Sequence, residues 1–372
     1  VPGRRILANL DVEEDLRGSF GGGGPARTLS APARRAAATA ATRLRVFAAA
    51  GDRLWLPAEP DPGGPEVPRG AEGLPEPIVE IGPPEALAPV RQVLAWGEGP
   101  RVATLRARWL AGGGAAVDEP RALREPLHEA VWHLVPAAPE VVARVADRAF
   151  GLEIAREHGW ALPGARWVAD VAEIERHLAS GGAAAGAGRW VVKAPYSAAG
   201  RERHVAAGPG ELAEPPVRRR IESLLARHGR LLFEPWVERT ADFGAAGLLT
   251  AAGVRLASLH RQEVGARGAF RGIAPVPAGE GAAGLAPAER GVLEAAFHAA
   301  AEGLRAAGYA GPFGIDAFRW RGAGGEMLFH PLCELNPRLT FGLVARAITE
   351  RYGSEPGREG GGVRMLSPGG AR

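Results

Sequence analysis

The chain has 372 residues, 46% of them hydrophobic, with a formal net charge of only +3 and one cysteine, Cys333. That length accommodates two or three domains with cores of their own, and a lone cysteine excludes an internal disulfide or a cysteine-based zinc site. No apolar run approaches the roughly 20 residues of a membrane span. The arginines are interspersed with Asp and Glu and lack interleaved aromatics, so neither a membrane nor a nucleic acid is an expected partner.

In chain order, residues 4 to 11 read as a buried strand and the Gly/Pro/Ala-rich stretch from Gly18 to Pro32 as a loop. The segment Val1 to Leu10 lacks the apolar core of a signal peptide, and a cytoplasmic location is expected, although the missing initiator Met leaves processing open. A helix is predicted over 33–49 and a short strand from Arg53 to Leu56. A long Pro/Gly-rich loop over 57–76 follows, then a strand from Ile78 to Ile81. A helix from about Pro84 to Leu94 comes next, with a strand-like stretch near Val102 and helix beyond. Strands alternating with helices predict a small α/β domain over residues 1–120.

Beyond it, Pro139 to Gly159 carries apolar residues at helical spacing and stops at a glycine before Pro163. Strands are predicted at Ala165 to Val168, Trp190 to Lys193 and Leu231 to Glu234, with helices over Val171 to Leu178 and Pro216 to His228. The run Arg218-Arg219-Arg220 reads as the start of that second, solvated helix. Phe243 to Leu249 and Val254 to His260 form a hairpin, and 287–307 a long amphipathic helix. Phe313 to Trp320 and Met327 to Leu335 flank a glycine-rich turn, Leu343 to Arg351 is the last helix, and the tail 353–372 has a disordered composition.

Two features carry chemistry. Of 45 Lys and Arg residues, Lys193 is the only lysine. In a composition this rich in arginine, that points to a site needing a compact ammonium on a flexible stem rather than a planar fork. A loop of small residues, Ser197-Ala198-Ala199-Gly200-Arg201, follows it, as phosphate-binding loops do. Secondly, Glu334, Asn336 and Arg338 stand two residues apart, so an extended chain points them to one face. Pairing about the glycine-rich turn puts Asp316 opposite a residue between 331 and 334, with a bulge at Pro331 as one variable. Two carboxylates and an amide form an all-oxygen set suited to Mg²⁺. Cys333 alternates with Glu334 and is expected on the opposite, packed side. No phosphate-binding loop ending in Gly-Lys-Ser/Thr, dinucleotide-binding glycine fingerprint or nucleophile elbow occurs.

With these motifs in this order, the region from about 140 to 350 resembles the ATP-grasp enzymes: a lysine strand with a small-residue loop, a hinge Phe233-Glu234-Pro235-Trp236-Val237, a strand aspartate, then Glu-x-Asn. The resemblance implies an α+β ATP-grasp domain over 121–352, split into a small lobe at about 140–235 and a large lobe at about 236–352, both with antiparallel sheets. It implies ATP as cofactor, with one or two Mg²⁺ ions, or Mn²⁺, held by Asp316, Glu334 and Asn336. Lys193 would hold phosphates, Ser197 and Gly200 would belong to the closing loop, and Glu234, Pro235, Trp236 and Val237 would meet adenine. Asp242, or else Glu238, would bind ribose. Arg148 stands where the family usually has an earlier lysine. Arg338 would contact the transferring phosphoryl or a substrate carboxylate, and Arg271, with Arg261 and His260, would face the acceptor. The implied activity is a carboxylate–amine ligase with small-molecule partners, acting through an acyl phosphate. A nucleotide-binding regulatory module and a carboxylate kinase are the alternatives, and the oligomeric state, a homodimer included, stays open.

Overall fold

The computed structural model describes residues 3–20, 29–61, 74–110, 113–197, 202–264, 270–275 and 284–352. Thirteen strands are arranged in three sheets among them. Strands β1 (Arg4–Leu7), β2 (Arg53–Leu56), β3 (Ile78–Ile81) and β4 (Gln92–Ala95) form a parallel sheet in the order β3-β2-β1-β4. Both faces are covered at β1, β2 and β4. Ile6, Leu54 and Leu56 join the main core, while Leu7, Trp55, Val93 and Trp109 form a second cluster. Burial on both sides is the usual condition of a parallel sheet, and it explains why β1, β2 and β4 show no polar alternation, whereas the edge strand β3 leaves Ile78, Val79 and Ile81 exposed.

The second sheet is antiparallel, with β5 (Arg166–Val168), β6 (Trp190–Lys193), β7 (Arg203–Ala206) and β8 (Leu231–Pro235) in the order β5-β8-β6-β7. Trp190, Val192 and Phe233 point to one face, where they pack with Ile174, Ile221 and Leu224 from the helices Val171–Ala179 and Pro215–His228. The period of two therefore sends Val191, Lys193 and Glu234 to the other face.

The third sheet, also antiparallel, holds β9 (Glu238–Thr250), β10 (Gly253–Val264), β11 (Phe270–Pro275), β12 (Gly311–Arg321) and β13 (Met327–Asn336) in the order β11-β10-β9-β12-β13. The helix Pro287–Ala306 lays Leu293, Ala296, Phe297, Ala300 and Leu304 on it, and Phe297 stacks on Phe313 at 4.5 Å. Asp316 pairs with Glu334, but Phe318 pairs with His330, so Pro331 to Cys333 bulge out opposite Ala317. Proline, which has no N–H to give a ladder, sits at such a bulge without loss.

Several elements differ from the sequence reading. The first strand ends at Leu7, and a helix, Val12–Phe20, extends into the expected loop. Pro84 to Leu94 is not a helix: a single turn, Pro84–Ala86, is followed by β4. The strand-like stretch near Val102 lies within the helix Pro100–Trp109, which starts with proline at its first position. The helix expected from Pro139 to Gly159 breaks at Asp147, whose side chain accepts from the Ala149 N–H at 2.8 Å and caps a new helix, Arg148–Glu157. Gly200 and the tail from 353 fall outside the described residues. Among the described residues no helix is long and apolar enough to cross a membrane.

Candidate active site

A cleft of about 650 Å³ lies between the second and third sheets and reaches the first. It brings together Arg148, Lys193, Ser197, Trp236, Val237, Asp242, Asp316, Glu334, Asn336 and Arg338 of the sequence candidates. Glu234 and Pro235 are buried in β8 and do not line it. Arg271 lies on β11, although its side chain is outside the described residues.

The wall from the second sheet is cationic. Lys193 donates to Glu234, both largely buried. Burial pushes the Glu234 carboxyl up, but the Lys193 ammonium beside it outweighs that and holds it below the usual range. Arg203 is the cross-strand partner of Lys193. The partly exposed Trp236 lies 5.5 Å from the Arg203 guanidinium and 5.7 Å from that of Arg239. Gly186 lets a turn approach this hinge: a Cβ there would sit 2.8 Å from the Trp236 nitrogen. Arg189, Arg203 and Arg239 line the cleft and were not singled out in the sequence, where arginine is everywhere.

The opposite wall is acidic. Asp316 and Glu334 are direct partners on β12 and β13. The Asp316 carboxylate accepts from Gln262 at 2.5 Å and from Asn336 at 3.0 Å. Burial, then the Glu334 charge, raise Asp316 to about 6. Glu334 accepts from Arg148 at 2.9 Å, and Arg148 also donates to the Ser197 carbonyl at 3.0 Å. Arg148 thus ties the first turn of its helix to the small-residue loop and to the acidic strand. Because of the bulge, Cys333 and Glu334 both line the cleft, so the expected alternation fails. Cys333 is half-buried against the cluster of Leu162, Val237, Phe318 and Trp320, and burial pushes its thiol up.

The inner end is closed by the first sheet. Arg338 donates to Glu13 at 2.7 Å and to Asn336 at 3.0 Å, and its guanidinium lies 5.4 Å from the Trp96 ring. His260 also lines this end, 4% exposed, held by Ser258 at 3.2 Å and shifted to about 4 by burial. Two glycines make its space: a Cβ on Gly342 would come within 2.4 Å of the ring and one on Gly244 within 2.5 Å. Arg261, next to it, does not line the cleft.

No protein-family model and no curated protein matches the sequence. Among solved structures, the biotin carboxylase domain of the Hydrogenobacter thermophilus 2-oxoglutarate carboxylase, in complex with MgADP, ADP and bicarbonate, is similar at 14% identity and a TM-score of 0.51. The match covers 93% of this chain and 68% of that one. N5-carboxyaminoimidazole synthetase from Staphylococcus aureus complexed with ADP is similar at 10% identity and a TM-score of 0.48, over 91% of this chain and 71% of that one. Phosphoribosylamine–glycine ligase from Thermotoga maritima follows at 13% identity and 0.48, over 92% and 70%. The chain has the ATP-grasp fold, with its antiparallel sheets facing each other across the cleft.

Proposed function

We propose that this protein is an ATP- and Mg²⁺-dependent ligase that joins a carboxylate to an amine through an acyl phosphate. The observation that carries the reading is that one cleft gathers a cationic wall, the partly exposed hinge residue Trp236 and the register pair Asp316–Glu334. Among the described residues no group of three or more His, Cys, Asp or Glu is placed to hold a metal. An ion here would therefore rest on Asp316, Glu334 and the Asn336 amide. That donor set fits: it is all oxygen, and its two carboxylates repel each other across adjacent strands. When bound, Mg²⁺ would supply neutralisation of phosphate charge.

The chain's own groups do the rest. Trp236 and Val237 would bound the adenine, with Glu234 and Pro235 behind them, and Asp242 would meet the ribose. Lys193, exchanging Glu234 for a phosphate, and Arg148 would hold the triphosphate beside Ser197 and Gly200. Arg338 would orient a substrate carboxylate, and Arg271 would face the incoming amine. A carboxylate oxygen then attacks the γ-phosphorus as the bond to ADP breaks. The amine attacks the acyl carbon, phosphate leaves, and the amine proton passes to solvent. No group of the protein becomes covalently attached.

The test is ADP release from ATP and Mg²⁺ with amino acids supplied in pools, comparing the wild type with Glu334→Gln. Pool-dependent ADP that disappears in the variant supports the ligase or a carboxylate kinase, and an amide product selects the ligase. Nucleotide binding without ADP from any pool points to a regulatory module. Absence of nucleotide binding would remove the reading altogether.

A further inference from the structure

We propose that the carboxylate substrate is a monocarboxylic acid carrying a bulky apolar or aromatic group, selected by Trp96, Phe341 and Ile273. This rests on the ligase reading and names its substrate class. Past the acidic pair, the cleft is lined by Leu10, Trp96, Ile273 and Phe341. Trp96, 3% exposed, is held at its backbone and packed at its ring. Its backbone N–H donates to the Leu7 carbonyl at 2.9 Å, its backbone carbonyl accepts from the Leu339 N–H at 2.8 Å, and its ring lies 4.8 Å from that of Phe341. Asn9 clamps the following residue, donating to the Gly97 carbonyl at 2.7 Å and accepting from its N–H at 3.3 Å. A rigid apolar surface of this kind rewards a matching apolar group and loses nothing to reordering.

The polar groups at this end restrict the charge of the ligand. Arg338 spends three N–H groups on Glu13, Asn336 and the Leu339 carbonyl, which leaves two of the roughly five on a guanidinium. They suit one carboxylate beside the acidic pair. Among the described side chains at this end, none is left to pair with a second charge. Gln262 is committed to Asp316, Glu13 to Arg338, and His260 is neutral because burial disfavours its charged form. Of the remaining cleft acids, Asp242 is paired with Arg239 and Glu238 with Arg321. A diacid or a cationic side chain would bury an uncompensated charge here, which is costly.

The experiment uses the full chain with MgATP and hydroxylamine, an amine that captures an acyl phosphate as a hydroxamate and releases phosphate. The acids are acetate, hexanoate, phenylacetate and succinate. Binding of the same acids to the MgADP-loaded protein is measured by calorimetry alongside. We expect kcat/KM to rise about tenfold or more from acetate to phenylacetate, with succinate poorest. Phe341→Ala and the milder Phe341→Leu, together with Ile273→Ala, should raise the KM for phenylacetate about tenfold while the KM for ATP moves less than about twofold. Preference for succinate or acetate, or a phenylacetate KM indifferent to all three variants, overturns the proposal. If no acid yields hydroxamate, the ligase reading fails, and calorimetry still decides the subsite. Affinity graded with apolar size retains it, and no binding of hexanoate or phenylacetate rejects it.

Discussion

The two walls of the cleft solve the problem of crowded charge in opposite ways. On the second sheet, the Lys193 ammonium already has a carboxylate, Glu234, and the pair is neutral. On the third, Asp316 and Glu334 face each other as like charges, eased only by Gln262, Asn336 and Arg148. A paired wall is stable alone and must exchange a partner to bind. A wall of like charges is poised for a cation and is improved by binding it. The difference assigns separate consequences to damage: function on the acidic side, stability on the cationic side.

The largest effect should come from the acidic wall. Asp316→Asn should reduce Mg²⁺-dependent ADP release by about a hundredfold or more, with the melting temperature little lowered, because a raised, repelled carboxylate is replaced by an amide. Unchanged turnover would take Asp316 out of the metal set. On the cationic wall, Lys193→Met leaves the Glu234 carboxylate buried without its ion pair and should cost about 3–5 kcal/mol in denaturant unfolding. Lys193→Arg should recover most of that stability but not the turnover, since the fork cannot take the ammonium's place. Equal activity in Lys193→Arg would show that a guanidinium serves at this position as well as an ammonium.

A third prediction concerns two buried histidines. His260 and His330 are each held near 4 by burial, against about 6.5 in an unfolded chain. Both fold as neutral rings, so their contribution is complete above about 6.5 and is lost as the pH falls towards 4, by up to about 3 kcal/mol each. Asp316, raised to about 6, works in the opposite sense, so the clean measurement is a difference. His330→Phe should show a shallower fall in unfolding free energy between pH 7 and pH 4.5 than the wild type. Parallel profiles would show that His330 titrates normally in the fold. The smallest effect, about 1–3 kcal/mol, is expected for Gly342→Ala, whose Cβ would meet the His260 ring at 2.4 Å. A neutral outcome in thermal melts would mean that the ring has room to move.

The acidic wall was the more legible in the sequence. Its hairpin has long strands, a glycine-rich turn and three polar residues in period two, and Asp316 falls opposite Glu334, within the span expected. The bulge hides only its effect on Cys333, since alternation is lost where Pro331 to Cys333 face one residue. The first sheet was less legible. In β4 a buried Val-Leu-Ala run lacks any alternation, and its backbone pairs with β1, remote in sequence. The break at Asp147 was missed because its apolar neighbours keep helical spacing on both sides. Arg189, Arg203 and Arg239 carry no local mark, and only the strand pairing shows that Arg203 stands beside Lys193.

The bonds from Leu339 to Trp96 and from Arg338 to Glu13 also bear on how such a protein can be divided. A chain begun at Pro139 would retain the hinge, the lysine and both carboxylates of the acidic pair. It would lose the tryptophan floor and the acid that steadies Arg338. On the proposed ligase reading, such a fragment would have a nucleotide site without a matching seat for the second reactant. On the same reading, exchanging the first sheet for another would change what is joined, not how the joining is powered.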